Sequence, residues 1–218
     1  MSKSAIENSR PSAATAEEIS TALAALKQGE TIAFPTETLY GLGADALNAA
    51  AVEKIYRLKG RDPTNPIPVL VADRAMLDFL VSEISPLAER LIMEFWPGPL
   101  TLVLPARGDI PAPLANSSGA VGMRISSQPI ATELVRRLGR PLTATSANPS
   151  GKPPARTIEE ARNYFAADIA VFIDGGPLVS KTGSTVVAIS RDKIKIIREG
   201  EIARSELEKI VGKDKIAP

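Results

Sequence analysis

The chain has 218 residues, 44% of them hydrophobic and 23% charged, with 26 Lys and Arg against 25 Asp and Glu. That composition suits one globular domain with an ample core. No run approaches the roughly 18 apolar residues of a membrane span, and a formal charge of +1 is low for a protein that coats nucleic acid. Cys and His are both absent, which excludes disulfides, thiol nucleophiles, imidazole bases and Cys- or His-ligated metal sites. Chemistry must then rest on Lys, Arg, carboxylates, hydroxyls and backbone amides, with a hard cation such as Mg²⁺ brought in by a phosphate ligand.

Residues 1–14 are small and polar and are expected to form a disordered tail. They lack the apolar stretch of a secretory signal, so the chain reads as cytoplasmic. Thr15 and Glu18 have the spacing of a capping box. Ile19, Leu23 and Leu26 follow at helical spacing, and Gly29 stops the helix. A strand over 31–35 leads into Phe34-Pro35-Thr36-Glu37-Thr38-Leu39-Tyr40-Gly41-Leu42-Gly43. A helix over 49–59 places Val52, Ile55 and Leu58 on one face and ends in Lys59-Gly60-Arg61-Asp62-Pro63-Thr64-Asn65-Pro66. A strand is expected over 68–72, helices over 73–81 and 85–95, and a rigid turn at Trp96-Pro97-Gly98-Pro99 before a strand over 100–104. Next come a strand over 120–125 carrying Arg124, a helix over 129–138, and a strand over 141–145. The loop Ser146-Ala147-Asn148-Pro149-Ser150-Gly151-Lys152-Pro153-Pro154 precedes a helix near 157–165. Strands at 169–173, 184–190 and 193–198, a short helix at 204–211 and a tail over 213–218 complete the chain. Alternating strands and helices, closing on adjacent strands, predict an α/β sheet of mixed direction within one domain over 15–212.

Several segments carry candidate chemistry, each with a plainer alternative. Lys59 and Arg61 sit at a helix C-terminus, where cations offset the helix dipole, but non-titrating cations beside a stiff loop carrying Asn65 also suit a phosphate. Thr36, Thr38 and Tyr40 alternate after a strand. They can satisfy their own turn, or hold a small polar ligand to which Gly41 and Gly43 allow close approach. Glu37 faces away from them in an extended chain and can pair with an internal cation or act on a ligand. Thr145, Ser146 and Asn148 lie where a strand gives way to a loop, a common ligand position in open α/β sheets. Arg124 lies in an apolar strand and must be paired or face a cleft; the cleft is the expected outcome. Gly175-Gly176-Pro177-Leu178-Val179-Ser180-Lys181-Thr182 departs from a phosphate-binding P-loop, because Ser180 replaces the second Gly and a strand follows.

Taken together, these segments with Trp96-Pro97-Gly98-Pro99-Leu100-Thr101 and Gly183-Ser184-Thr185 resemble the YrdC-like family, the threonylcarbamoyl-AMP synthases. The resemblance runs from about residue 15 to about 210, in order and spacing, and matches the short, single-domain branch. It implies a twisted mixed sheet flanked by helices, with a large electropositive concave face. It implies a reaction in which L-threonine, bicarbonate (or CO₂) and ATP give threonylcarbamoyl-adenylate and pyrophosphate. A separate transferase then modifies the adenosine beside the tRNA anticodon. By position, Thr38, Tyr40, Arg124 and Ser184 should hold threonine, with Arg124 on its carboxylate. Lys59, Arg61, Asn65, Ser146, Asn148 and Arg198 should hold ATP. Lys59 and Arg61 should also be catalytic, and Mg²⁺ should be held mainly by the ATP phosphates.

Four positions depart from the family pattern: Leu70 stands for a His, Ala120 and Ala144 for hydroxyl-bearing residues, and Pro154 for a Ser. Two alternatives accompany this reading. One is a non-catalytic relative gripping tRNA or double-stranded RNA; the other is the carbamoyl chemistry of hydrogenase-maturation proteins. The loops 149–156 and 174–184 are candidates to order when ATP binds.

Overall fold

A computed structural model of the chain describes residues 14–108, 110–190 and 192–217. The expected N-terminal tail therefore lies outside the described residues, apart from Ala14. The first helix, α1 (Ala16–Lys27), opens on the foreseen capping box: Glu18 N–H donates to Thr15 Oγ1 at 3.1 Å and Thr15 N–H donates to Glu18 Oε2 at 2.7 Å. β1 (Ile32–Pro35) follows and turns back as β2 (Tyr40–Gly43). α2 (Ala49–Lys59) is capped by Asn48 and ends at Gly60, whose φ of 57° reverses the backbone between Lys59 and Arg61.

β3 (Val69–Leu70), α3 (Arg74–Leu80), α4 (Pro86–Phe95), β4 (Leu100–Pro105) and β5 (Ala120–Arg124) come next. α5 (Pro129–Leu138) carries Pro at its first position and Gly139 as its left-handed cap. After β6 (Leu142–Thr143), β7 (Thr145–Ser146) and α6 (Ile158–Phe165), β8 (Val171–Phe172), β9 (Thr185–Ser190), β10 (Lys193–Arg198) and α7 (Arg204–Val211) complete the order. The segment expected as a C-terminal tail carries a 3₁₀ turn, Lys213–Lys215, and an isolated parallel bridge from Ile216 to Ile194 that buries Ile216.

The strands form two mixed sheets, one ordered β7-β2-β1-β8 and the other β10-β9-β4-β5-β3-β6. The strand expected over 141–145 is in fact two short ones, because the backbone changes sheets at Ala144. Leu142 and Thr143 pair with β3, whereas Thr145 and Ser146 pair with β2. Thr143 Oγ1 accepts from Ala44 N–H at 2.8 Å, and Ala144 N–H donates to Pro68 O at 2.9 Å, so the crossing residue keeps its hydrogen bonds. The two sheets meet at this crossing, next to the candidate site.

β2 was not anticipated as a strand. A Cβ on Gly43 would lie 2.8 Å from the Phe34 ring, so this glycine makes room for a core aromatic and not for a ligand. On one side, Ile19, Leu23 and Leu26 of α1 pack with Ile130, Leu134 and Val135 of α5 against Ile32 and Phe34. A larger cluster joins α2, α3, α4 and α7 to the second sheet through Val52, Ile55, Leu77, Leu91, Leu102 and Leu207. Among the described residues no helix is long and apolar enough to cross a membrane.

Candidate active site

Where the sheets meet, a cavity of about 240 Å³ is lined by Thr38, Tyr40, Arg124, Ser146, Asn148, Ser184 and Arg198, with Arg61 at its rim. A second cavity of about 260 Å³ adjoins it through Arg61, Pro68 and Arg198, and has Asn65 in its wall. The candidate residues thus come from six separate places: the β1–β2 turn with the first residue of β2, the end of α2 with the loop after it, the end of β5, β7 with its following loop, the residue before β9 and the end of β10. Nine of the ten line these two cavities, and the tenth, Lys59, lies behind the wall.

One end of the first cavity holds a paired cation. Arg124 Nη1 donates to Glu37 Oε1 at 2.5 Å, with the two side chains only 6% and 14% exposed. Ser126 Oγ donates to the other oxygen, Glu37 Oε2, and itself accepts from Gln128 N–H at 3.2 Å. Gln128 also caps α5 through its Oε1. Arg124 therefore both faces the cleft and is paired, and the carboxylate is Glu37. Burial lowers the guanidinium's proton affinity and Glu37 opposes that effect. Nearby, Thr38 Oγ1 lies 3.1 Å from Thr36 Oγ1, which donates to Leu39 O and closes the turn. Ser184 Oγ lies 2.8 Å from Thr101 Oγ1.

Among the described residues the other cations of the cleft have no carboxylate partner, and one of them, Arg198, lies beside Ser184 and Arg124. Arg61 donates to Asn65 O at 2.8 Å and Pro66 O at 3.2 Å, and Arg198 donates to Ser184 O at 2.8 Å. Lys59 is buried, with its Nζ donating to Asn148 O at 2.7 Å and also to Ser146 O. Among the described residues none of these three forms an ion pair. Their proximity is itself unfavourable. Burial first, then Arg124 and Arg61, hold Arg198 below the usual arginine range. Burial and then Arg61 bring Lys59 down to about 7. Cations gathered at such a cost suit an anion that is not a side chain of this chain.

Three details refine the expectations. The Tyr40 hydroxyl donates to Gly176 O at 2.8 Å and Asp174 Oδ1 at 3.2 Å and accepts from Gly175 N–H at 3.0 Å, so it offers the cavity its ring and pins the 174–176 loop. Burial, with Asp174 adding, pushes that phenol's pKa up and keeps it neutral. Asn148 Nδ2 donates to Pro149 O and Lys152 O, which leaves Oδ1 buried without a partner. Of the four departures, Ala144 and Pro154 line the first cavity and Ala120 the second, while Leu70 is in the core.

Sequence reasoning left Glu37 undecided and gave no role to Ser126, Thr101 or Asp174. The only available signal was a carboxylate alternating with hydroxyls, which is compatible with an internal ion pair and with ligand contact. Among the described residues no group of three or more Asp or Glu could hold a metal ion.

A mixed α/β fold in which a cluster of cations and hydroxyls surrounds a cleft between two sheets has the chemistry of an anion-binding site. Residues 24–200 match the Sua5_yciO_yrdC family model, described as telomere recombination, and the chain belongs to that family. It is 40% identical over 196 residues to the threonylcarbamoyl-AMP synthase of Bacillus subtilis, covering 89% of this chain and 57% of that one. A putative threonylcarbamoyl-AMP synthase of Mycobacterium tuberculosis is 35% identical, covering 90% of each. The crystal structure of P. abyssi Sua5 complexed with L-threonine superposes with a TM-score of 0.87 at 38% identity, covering 92% of this chain and 59% of that one. The chain thus spans less than two thirds of the length of the B. subtilis and P. abyssi relatives.

Proposed function

We propose that this protein makes L-threonylcarbamoyl-adenylate from L-threonine, bicarbonate or CO₂, and ATP, releasing pyrophosphate. The observation that carries the reading is the pairing pattern of the cleft: one arginine matched to a carboxylate at one end, and three cations matched to none at the other. An amino acid bearing one carboxylate suits the first end and a polyphosphate the second. The names of the B. subtilis and M. tuberculosis relatives and the threonine complex of P. abyssi Sua5 support the same assignment.

In this reading Arg124 takes the threonine carboxylate, Thr38 and Ser184 offer hydroxyls to its polar groups, and Tyr40 forms the wall. The threonine ammonium first releases a proton to solvent; the free amine then bonds to the carbon of CO₂, one C=O π pair moves onto oxygen, and the nitrogen loses a second proton to solvent, leaving a carbamate. A carbamate oxygen then bonds to the α-phosphorus, the bond from that phosphorus to the bridging oxygen breaks, and pyrophosphate leaves with the electron pair. Lys59, Arg61 and Arg198 offset the charge spread over the phosphates, so catalysis consists of positioning and electrostatics and needs no imidazole. Ser146 and Asn148 lie beside the phosphates, and Asn65 lines the adjoining cavity that takes the rest of the nucleotide. Mg²⁺ enters as MgATP. The cleft's own carboxylate, Glu37, is already held by Arg124 and Ser126, so the phosphates supply the ion's main ligands.

The product passes to a separate transferase acting on tRNA, and we assign the protein to the cytoplasm. The test is an omission assay: with MgATP, L-threonine and bicarbonate all present, pyrophosphate and the adenylate accumulate together, and leaving out any one abolishes both. Absence of the adenylate from the complete mixture overturns the proposal.

A further inference from the structure

Arg124, Arg61 and Arg198 share one cleft, yet only Arg124 has a carboxylate partner among the described residues. Arg124 lies close enough to Arg198 to disfavour its charge. A polyphosphate drawn to Arg61 and Arg198 would be drawn equally to a bare Arg124, and it would then occupy the place of the smaller, singly charged ligand. Glu37 alters that balance. It neutralises one unit of charge at this end of the cleft and takes one edge of the guanidinium, Nη1. Its own position is fixed from behind by Ser126 Oγ and, through it, by the Gln128 N–H at the start of α5. Glu37 does not line the cavity, so it acts through Arg124.

We propose that Glu37 is the specificity-determining residue of the cleft: by pairing with Arg124 it reserves that arginine for a single carboxylate and keeps polyphosphate out of the amino-acid end. This assignment of ends rests on the function proposed above. The physical basis is charge count. Removing one negative charge near a site favours a ligand of charge −2 or −3 over one carrying a single carboxylate, by on the order of tenfold or more for each additional ligand charge at these separations.

The experiment is a calorimetric titration of the full chain with L-threonine and, separately, with inorganic pyrophosphate, followed by threonine titrations in the presence of pyrophosphate. It compares wild type, Glu37→Gln and Ser126→Ala. Wild type is expected to bind threonine with an affinity that pyrophosphate leaves unchanged. Glu37→Gln should bind pyrophosphate about tenfold tighter or more, and pyrophosphate should now compete with threonine. Ser126→Ala, which keeps the carboxylate, should show no competition; that outcome separates charge from general loosening of the site. Should Glu37→Gln fail to fold because Arg124 is left buried and unpaired, Glu37→Asp decides: its carboxylate is withdrawn by one methylene and should give partial competition. Unchanged pyrophosphate affinity and continued independence of the two ligands in Glu37→Gln, or in Glu37→Asp where that variant decides, would overturn the proposal. If wild type binds no threonine, the proposed function fails, while the pyrophosphate comparison between wild type and the Glu37 variant still judges the role of Glu37.

Discussion

The two ends of the cleft use cations in opposite ways. Arg124 is buried against Glu37, which matches its charge through Nη1 and leaves its other donors free for a ligand. Lys59, Arg61 and Arg198 rest on backbone carbonyls, and two of them are held below their usual pKa by burial and by neighbouring cations. A buried ion pair fixes geometry and adds little net charge, whereas unpaired cations give a charge that is relieved only when an anion binds. Under the proposed function, the contrast means that the paired arginine orients a small ligand while the unpaired cations attract and stabilise a large anion.

Substitutions at the unpaired end should produce the largest loss of activity. Arg61→Ala should lower the rate of adenylate formation by roughly 10²–10³-fold, the loss seen when one preorganised oxyanion donor is removed. Lys59→Ala, which removes a charge acting from behind the wall and the support of Ser146 and Asn148, should lower it by about tenfold or more. Pyrophosphate release at saturating substrates measures this, and a loss under threefold would remove these residues from catalysis. At the paired end, stability should suffer as well as binding. Arg124→Ala leaves Glu37 buried without its partner, which costs about 3–5 kcal/mol in urea unfolding, while Arg61→Ala, which strands no carboxylate, should cost far less. Equal costs would erase the distinction between the ends.

A titration sharpens it further. Lys59 sits near 7 in the empty protein, and bound phosphate favours its ammonium form. Above pH 7 the ATP complex therefore holds more protons than the free protein, so ATP affinity falls as pH rises. The contribution approaches tenfold per pH unit at most and is absent in Lys59→Met. The same group affects folding. Its folded pKa lies below the unfolded value of 10.5, so the unfolded chain binds the extra proton between about 7 and 10.5. Stability from this residue accordingly rises with pH across that window and is lost as pH falls towards 7. Matching pH slopes for wild type and Lys59→Met would contradict both statements. The smallest effect is expected from Tyr40→Phe, which deletes the hydroxyl that pins Asp174–Gly176. It should cost about 0.5–1.5 kcal/mol and increase protease cleavage within 174–184, with no change in the pairing at Arg124.

Much of the architecture could be read from the sequence because its signals are local. The Thr15–Glu18 capping box and the apolar face of α1 act within a few residues, and each forms as its pattern predicts. The break at Ala144 could not be read, because it is set by which sheet claims each side of one residue, a long-range choice. The candidate residues were visible as an ordered set of segments, but their partners were not. Glu37 and Arg124 are 87 positions apart, and only folding decides between an internal pair and two ligand contacts. Gly43 illustrates the same limit: its small size serves the Phe34 ring, which neither residue reveals alone.

The division of the cleft is tested most directly by titrating L-threonine into protein already saturated with a non-hydrolysable ATP analogue and Mg²⁺. The account predicts that threonine still binds, that Arg124→Ala abolishes its binding while the analogue is retained, and that Arg61→Ala weakens the analogue while threonine is retained. Competition between threonine and the analogue in the wild-type protein, or loss of both ligands from either variant with the fold intact, would contradict it.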